Sequence, residues 1–407
     1  MKQEYDALII GGGASGMAAA ITLKRLRPSW DVAVLEKNDI FLRKVQASGN
    51  GKCNISNLAC DGLREVREFL GSVGISLRND GEGRLYPYSE DAKDVARLLI
   101  RTATSLDIEL LPEAEVERIT QVPQSQDPRG GFRVLIKGDM DYVSCDKLVL
   151  ATGGKSHAEF GTTGDGYTFA RRLGHDVTKL VPALTGIEVR DNILNLKGVR
   201  AKAKAYLLRD GETVFSEKGE VQFREDSLSG IVIMNMSGKV ETLQDESPEN
   251  SFRHYEIRLD LAPEFSSQEV RDMILERLNM PGFDEEYALK SLVKPELARF
   301  IIRKENVFFA RWLGEKASKE EIADFLADEL KDLKFKVKGL KGWDEAQVTK
   351  GGVPATEVDP VTMESLVCRG LYLTGEVLDY DGPCGGYNLN NAWLTGLRAG
   401  RGIAGSR

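Results

Sequence analysis

The first strand of pattern is the run Tyr-Asp-Ala-Leu-Ile-Ile at 5–10, short and almost wholly apolar, as expected of a strand covered on both faces. Glycines at 11, 12, 13 and 16 then turn the chain, and 14–27 carries small and apolar residues at helical spacing until Pro28, which cannot continue a helix. A second apolar strand at 32–36 completes a strand–helix–strand unit whose strands should be parallel and central. Helical spacing returns at 91–106 through Val95, Leu98, Leu99, Thr102 and Leu106. Strand-like pieces follow at 114–120, 131–137, 141–145 and 147–152, which together predict a parallel sheet interrupted by a small antiparallel meander.

From about residue 186 the texture changes. Residues 199–209 alternate strictly, Val199, Ala201, Ala203, Ala205 and Leu207 against Arg200, Lys202 and Lys204, and run into a turn at Asp210-Gly211. This is the pattern of a half-exposed antiparallel sheet. Helices follow, announced by the capping boxes Ser266…Glu269 and Ser318…Glu321 and punctuated by Pro281 and Pro295. Strand alternation resumes at 333–340, and glycine-rich texture from about 343. The expected organisation is one discontinuous α/β domain, 1–185 with 343–407, carrying a β-rich insert (186–265 and 333–342) and a helical insert (266–332). Polar stretches at 122–130 and 244–251 read as short linkers.

Composition narrows the partners. A net charge of −8, from 55 basic and 63 acidic residues, leaves no electrostatic footprint for nucleic acid or anionic lipid, so a small-molecule partner is expected and the oligomeric state is left open. No stretch approaches the roughly 20 apolar residues of a membrane span, and no signal-peptide core precedes the first strand; the expected location is the cytoplasm. The five cysteines (53, 60, 145, 368, 384) are scattered like reduced thiols, and no metal site is expected.

The chemistry resides in the glycines. Gly11-x-Gly13-x-x-Gly16 lies between a predicted strand and helix, with Glu36 twenty residues further on at the end of the next strand. Gly11 permits the turn, Gly13 admits a pyrophosphate close to the backbone, and Gly16 lets the helix pack on the strand. The helix N-terminus offers N–H groups to phosphate, and Glu36 can accept ribose hydroxyls. Two apolar strands ending in Ala151-Thr-Gly-Gly154 and Thr374-Gly-Glu376 point to FAD rather than NAD, because they resemble strand ends of the glutathione reductase superfamily. The segment Asp381-Gly-Pro-Cys-Gly-Gly-Tyr-Asn388 leads into a helix whose N-terminus can face a flavin carbonyl.

These motifs, with Glu36-Lys37-Asn38, Arg43-Lys44, Ser48-Gly-Asn-Gly-Lys-Cys-Asn54, Gly83-Arg-Leu-Tyr-Pro87, Gly161-Thr-Thr-Gly-Asp-Gly166 and Gly351-Gly-Val353, make the chain resemble the BaiN-like flavoproteins, also described as aminoacetone oxidase-like FAD-binding proteins. It departs from the family pattern at Asn50, Lys52 and His157, where glycine, arginine and proline are more usual. The resemblance implies a Rossmann-type FAD-binding domain with an inserted β-barrel-like plus helical part. The cofactor-binding set it implies is Gly11, Gly13, Ala14, Ser15, Gly16, Glu36, Lys37, Arg43, Lys44, Ser48, Gly49, Gly51, Asn54, Val116, Thr152, Gly153, Gly154, Gly375, Glu376, Asp379, Gly386, Tyr387 and Asn388.

No catalytic acid or base is assigned. His157 and His175 suit proton transfer near neutral pH, but loop histidines are ordinarily surface residues. The turn Arg84-Leu-Tyr-Pro-Tyr88 can place a tyrosine or arginine near a substrate or can simply pack. Cys53 and Cys60, spaced C-x6-C, match no dithiol motif, and Cys384 reads as a small residue tolerated in a glycine turn. By resemblance, the expected activity is FAD-dependent reduction of a carbon–carbon double bond conjugated to a ketone in an apolar molecule such as a 3-oxo steroid or bile acid. NAD(P)H is the expected co-substrate. The alternatives are an amine oxidase using oxygen, and a flavin-bearing binding protein whose basic strand Arg200, Lys202, Lys204 contacts a macromolecule.

Overall fold

A computed structural model describes residues 1–123, 131–138, 142–240, 251–312 and 317–406, with side chains at all of these save 305–312. The polar stretches 122–130 and 244–251 and the start of the expected strand at 141 lie largely outside these residues. The chain divides into two compact units, Met1–Pro182 with Gln347–Arg407, and Ala183–Ala346. The fold is α/β: a Rossmann-type parallel sheet with an antiparallel meander, interrupted in sequence by a closed β-barrel and helices.

In the first unit the strands Glu109–Leu111, Val32–Leu35, Glu4–Ile10 and Tyr142–Leu150 lie side by side in parallel. The expected pieces 141–145 and 147–152 are a single strand, because one edge serves two partners in succession. Its first half pairs antiparallel with Phe132–Ile136 (Cys145 opposite Phe132), and its second half pairs parallel with Leu371–Leu373 (Leu148 opposite Leu371). Strand Val116–Gln121 completes the meander. The sheet's central strands are apolar on both faces, and Leu8, Ile9, Val34, Leu148 and Val149 are fully buried.

The first helix, Ala14–Leu26, covers the sheet and is itself covered by the last helix, Tyr387–Gly405. Small residues allow the close approach: a Cβ at Gly396 would stand 2.2 Å from Ser15 O, and one at Gly400 2.7 Å from Ala19 O. A small sheet of Ser56–Asn57, Arg84–Pro87 and Leu77–Asn79, in that order, completes this unit.

The second unit is built on a closed six-stranded barrel, in the order Ile187–Val189, Ser227–Ser229, Glu212–Phe223, Arg200–Arg209, Tyr255–Asp260, Leu333–Leu340. Asp210 and Gly211 both take positive φ (52° and 88°), which matches the right-handed twist of the hairpin they close between Arg209 and Glu212. Alternation sets the faces: Leu333, Phe335 and Val337 are buried while Lys334, Lys336 and Lys338 are exposed. Both predicted capping boxes form, Ser266 with Glu269 at helix Ser267–Leu278 and Ser318 with Glu321 at helix Lys319–Lys331. The apolar faces of these helices share one core with the barrel interior. Among the described residues no helix is long and apolar enough to cross a membrane, and no cluster could hold a metal ion.

Candidate functional site

The parallel strands end together at Ile10, Leu35, Leu150 and Leu373, and the loops that follow these ends carry most of the sequence-predicted residues. Open parallel sheets characteristically bind ligands at this edge. After Ile10 the chain turns at Gly11 (φ 107°), where a Cβ would stand 2.3 Å from Ala151 O, and a Cβ at Gly16 would stand 2.0 Å from Gly11 O. The turn is therefore closed by backbone-to-backbone contact. Gly13 differs: its φ of −82° suits any residue, and a Cβ there would meet nothing within 4 Å.

Gly13 begins the first helix with no side-chain cap and no acid in the first turn. The N–H groups of Ala14, Ser15 and Gly16 find no acceptor among the described residues; the first intrahelical bond is Met17 N–H to Gly13 O. Unpaired donors at a helix N-terminus facing open space are what a pyrophosphate needs. The residues present fit the diphosphate of FAD.

Glu36 stands beside the turn. Its Oε2 accepts from Gly12 N–H (2.9 Å), and its Oε1 from the backbone and side-chain nitrogens of Asn38 (2.9 and 2.8 Å). Glu113 and Ala114 donate backbone bonds to Asn38 O and Glu36 O, which brings Val116, at the start of its strand, into the neighbourhood. Lys37 is engaged by Asp165 and Thr163 (both 2.6 Å).

A polar cluster ties the remaining strand ends. The Glu376 carboxylate accepts from Thr349 N–H (2.7 Å), Lys44 Nζ (3.0 Å) and Ser156 Oγ (3.3 Å), and Lys44 also reaches Ser156 Oγ (2.9 Å). A Cβ at Gly154 would stand 2.4 Å from both Glu376 Oε1 and Thr349 Oγ1; at Gly153 it would be 2.8 Å from Thr162 Cγ2. Gly375 approaches the first helix, its absent Cβ 2.8 Å from Ser15 Oγ. Tyr167 donates to Glu376 O (2.8 Å), and burial, with Glu376 nearby, raises its pKa. Thr152 Oγ1 is buried with no partner among the described residues, and Asp379 accepts from Thr178 (2.8 Å). Sequence reasoning quoted Asn38 and Thr162 within motifs without giving either a role in the site, and it missed Ser156, Thr349 and Tyr167, which lie outside those motifs.

The third group of residues lies on two glycine loops. Arg43 is exposed at the start of helix Arg43–Ala47, Ser48 Oγ donates to Val45 O (2.7 Å), and Gly49 and Gly51 lie exposed beyond it. Asn54 joins this loop to the C-terminal one, its amide donating to Ser56 O (3.1 Å) and accepting from Gly386 N–H (3.2 Å). Gly386 has φ 98°, and a Cβ would collide with Ser56 O at 2.3 Å. Asn388 spends its side chain on the loop itself, exchanging two 2.8 Å bonds with the Gly382 backbone. Helix Tyr387–Gly405 begins at Gly386 uncapped and without an acid in its first turn, so its positive end is available to an electron-rich group.

The remaining candidates are elsewhere engaged. His157 pairs with Glu159 (2.8 Å) and is partly exposed. His175 is buried, against the surface position expected of a loop histidine, because Nδ1 meets Glu357 (2.6 Å) and Nε2 meets Ser365 Oγ (2.8 Å). Ser365 Oγ also accepts from the N–H groups of Val367 and Cys368, so this chain of contacts closes a turn. Cys53 is buried and burial pushes its thiol up to about 12, which suits an inert thiol.

Comparison with known proteins agrees with this geometry. The family described as HI0933-like protein Rossmann domain matches residues 62–402, and the FAD binding domain matches 6–65. A 3-dehydro-bile acid delta(4,6)-reductase of Clostridium scindens is 32% identical over 97% of this chain and 98% of its own. The ribosomal RNA dihydrouridine synthase of Haemophilus influenzae is 26% identical over 97% of both chains. Among solved structures, the 3-ketosteroid delta1-dehydrogenase of Sterolibacterium denitrificans superposes with a TM-score of 0.50 over all of both chains at 12% identity, a likeness of fold. With a family match spanning most of the chain and a glycine turn shaped for a dinucleotide, this protein belongs to the HI0933-like family and is an FAD-dependent oxidoreductase.

Proposed function

We propose that the protein reduces a carbon–carbon double bond conjugated to a carbonyl, in an apolar small molecule of the 3-oxo steroid or bile acid kind, with NAD(P)H as the source of electrons. The observation that carries this reading is the 32% identity over nearly the whole length of a bile acid delta(4,6)-reductase. The bond chemistry is shared more widely: the uracil ring also holds a double bond conjugated to a carbonyl, so a dihydrouridine synthase performs the same kind of addition on a different substrate.

Bound FAD would supply a hydride acceptor and donor. The chain's own residues do the rest. The Ala14–Gly16 N–H groups and Glu36 would hold the pyrophosphate and ribose, and Lys44, Glu376 and Asn54 fix the loops that follow the strand ends. The uncapped start of helix Tyr387–Gly405 would favour negative charge on the reduced ring. The sequence holds one strand–GxGxxG–helix unit, so the nicotinamide is read as a transient co-substrate that binds, reduces and leaves.

Anaerobic stopped-flow mixing tests the reading. NADH or NADPH is expected to bleach the oxidised flavin band near 450 nm, and a 3-oxo-delta-4 steroid acid to restore it. Bleaching by aminoacetone with reoxidation by oxygen alone would replace it with the oxidase reading. A second substrate class is favoured by the two ribosomal RNA dihydrouridine synthases, from Haemophilus influenzae and Escherichia coli. The exposed Lys202, Lys334, Lys336 and Lys338 of the barrel, with half-buried Lys204, supply charge for it, whereas the net charge of −8 opposes it. Reoxidation by ribosomal RNA but not by the steroid would decide for that class.

A further inference from the structure

The small sheet of the first unit borders both glycine loops of the site. Its central strand, Arg84–Pro87, buries Leu85 and Pro87 and turns Arg84 and Tyr86 to the other face, half-buried. Tyr86 Cε1 lies 3.6 Å from where a Gly49 Cβ would stand, and Arg84 Cγ 3.8 Å from where a Gly385 Cβ would stand. Lys52, from the first loop, and Cys384, from the second, both act electrostatically on the Tyr86 phenol. The ring thus lies against the first loop, and its strand approaches both.

Its hydroxyl makes no hydrogen bond among the described residues. Two more deeply buried tyrosines are bonded, Tyr5 donating to Glu109 (2.7 Å) and Tyr167 to Glu376 O (2.8 Å), whereas the buried Tyr372 hydroxyl shares with Tyr86 the lack of a partner among the described residues. Burial raises the Tyr86 pKa, with Asp80 and Cys384 adding to the rise and Arg84 and Lys52 opposing it. The phenol is consequently protonated at neutral pH, and the charges of Arg84, paired with Asp80 and Glu82, and of Lys52, paired with Glu90, favour its phenolate.

We propose that Tyr86 is the proton donor of the reduction, an assignment that rests on the conjugated-carbonyl reading above. Bound reduced FAD would supply hydride for a new C–H bond at the β-carbon, with the double-bond pair moving toward the carbonyl oxygen. As the carbonyl re-forms, the α-carbon takes the proton from Tyr86 Oη, and the phenolate recovers a proton from water. Two electrons and one proton arrive as hydride and one proton from the phenol, which balances addition of two hydrogens.

The test is Tyr86→Phe in the FAD-loaded enzyme. FAD content, the rate of reduction by NAD(P)H and the equilibrium affinity of oxidised enzyme for the steroid acid, read from the flavin spectrum, are expected to match wild type. Reoxidation by that substrate is expected to slow about 10²–10⁴-fold, the usual contribution of a positioned general acid. Reoxidation by oxygen should not change. Tyr86→His, which restores a donor, should recover part of the rate. Wild type should show a solvent deuterium isotope effect on reoxidation that the phenylalanine variant alters. Reoxidation of Tyr86→Phe at the wild-type rate overturns the assignment, and so does loss of FAD or of substrate affinity, which would make the residue structural. Absence of a solvent isotope effect in wild type overturns it without any variant. If wild type is reoxidised by no conjugated carbonyl, the functional reading itself fails and the assignment with it.

Discussion

Gly13→Ala and Gly11→Ala should fail in different ways, because the two glycines exist for different reasons. At Gly13 the backbone (φ −82°, ψ −166°) suits alanine and the new methyl group would meet nothing within 4 Å. Stability of the cofactor-free protein should therefore change by no more than about 0.5 kcal/mol. On the phosphate reading, the same methyl group would crowd a diphosphate approaching the Ala14–Gly16 N–H groups. Losing one charge-assisted bond there costs about 1.5–3 kcal/mol, or roughly 10- to 150-fold in FAD affinity. At Gly11 the positive φ of 107° costs a side chain about 1–2 kcal/mol. The Cβ 2.3 Å from Ala151 O adds a clash with backbone, worth about 1–3 kcal/mol by analogy with overpacked cores. Gly11→Ala should therefore destabilise the protein by roughly 2–5 kcal/mol with or without cofactor. Urea denaturation of the cofactor-free variants gives the first quantity, and titration with FAD followed by fluorescence gives the second. Wild-type FAD affinity in Gly13→Ala, or equal loss of stability in both variants, would refute the reasoning.

Three other perturbations follow from the geometry. Glu376→Gln removes the charge that accepts from Thr349, Lys44 and Ser156, and should cost about 1.5–3 kcal/mol, seen as a fall of several degrees in the melting temperature; a shift under about 1 °C would contradict the role given to the cluster. Thr152→Val removes a buried hydroxyl that has no partner among the described residues, so urea denaturation should show stability unchanged or raised by up to about 1 kcal/mol, and a clear loss would mean the hydroxyl is satisfied. Burial pushes Cys53 up to about 12, so its thiol should resist alkylation at pH 8 in the folded protein and react once urea is added. The sign follows from linkage: the folded state keeps this proton longer than the unfolded chain. The contribution is whole below an unfolded thiol pKa of about 8.5 and is lost as pH rises from there toward the folded value. Cys53→Ala should flatten that alkaline decline, and an unchanged slope would assign the decline to other groups.

Sequence alone determined the elements whose signals are local. Gly11-x-Gly13-x-x-Gly16 between strand and helix, the Asp210-Gly211 turn and the Ser266 and Ser318 capping boxes are set by residues a few positions apart, and each formed as its pattern required. Tertiary structure decided what depends on residues far apart in the chain. Tyr142–Leu150 is one strand because Phe132–Ile136 and Leu371–Leu373 share its edge, a pairing no local pattern encodes. Glu376 gathers Lys44, Ser156 and Thr349 from three distant segments, and His175 is buried because Glu357 and Ser365 reach it from the other end of the chain. The same spacing of glycines also recurs at Gly400, Gly402 and Gly405, inside the last helix, where Gly400 and Gly402 make room for Ala19 and Thr362. Identical spacing thus gives a turn that leaves helix-start N–H groups unpaired among the described residues in one place and a helix-packing face in the other. What separates them is whether the N–H groups are left unpaired at a helix start or consumed within the helix, and only the folded chain settles that.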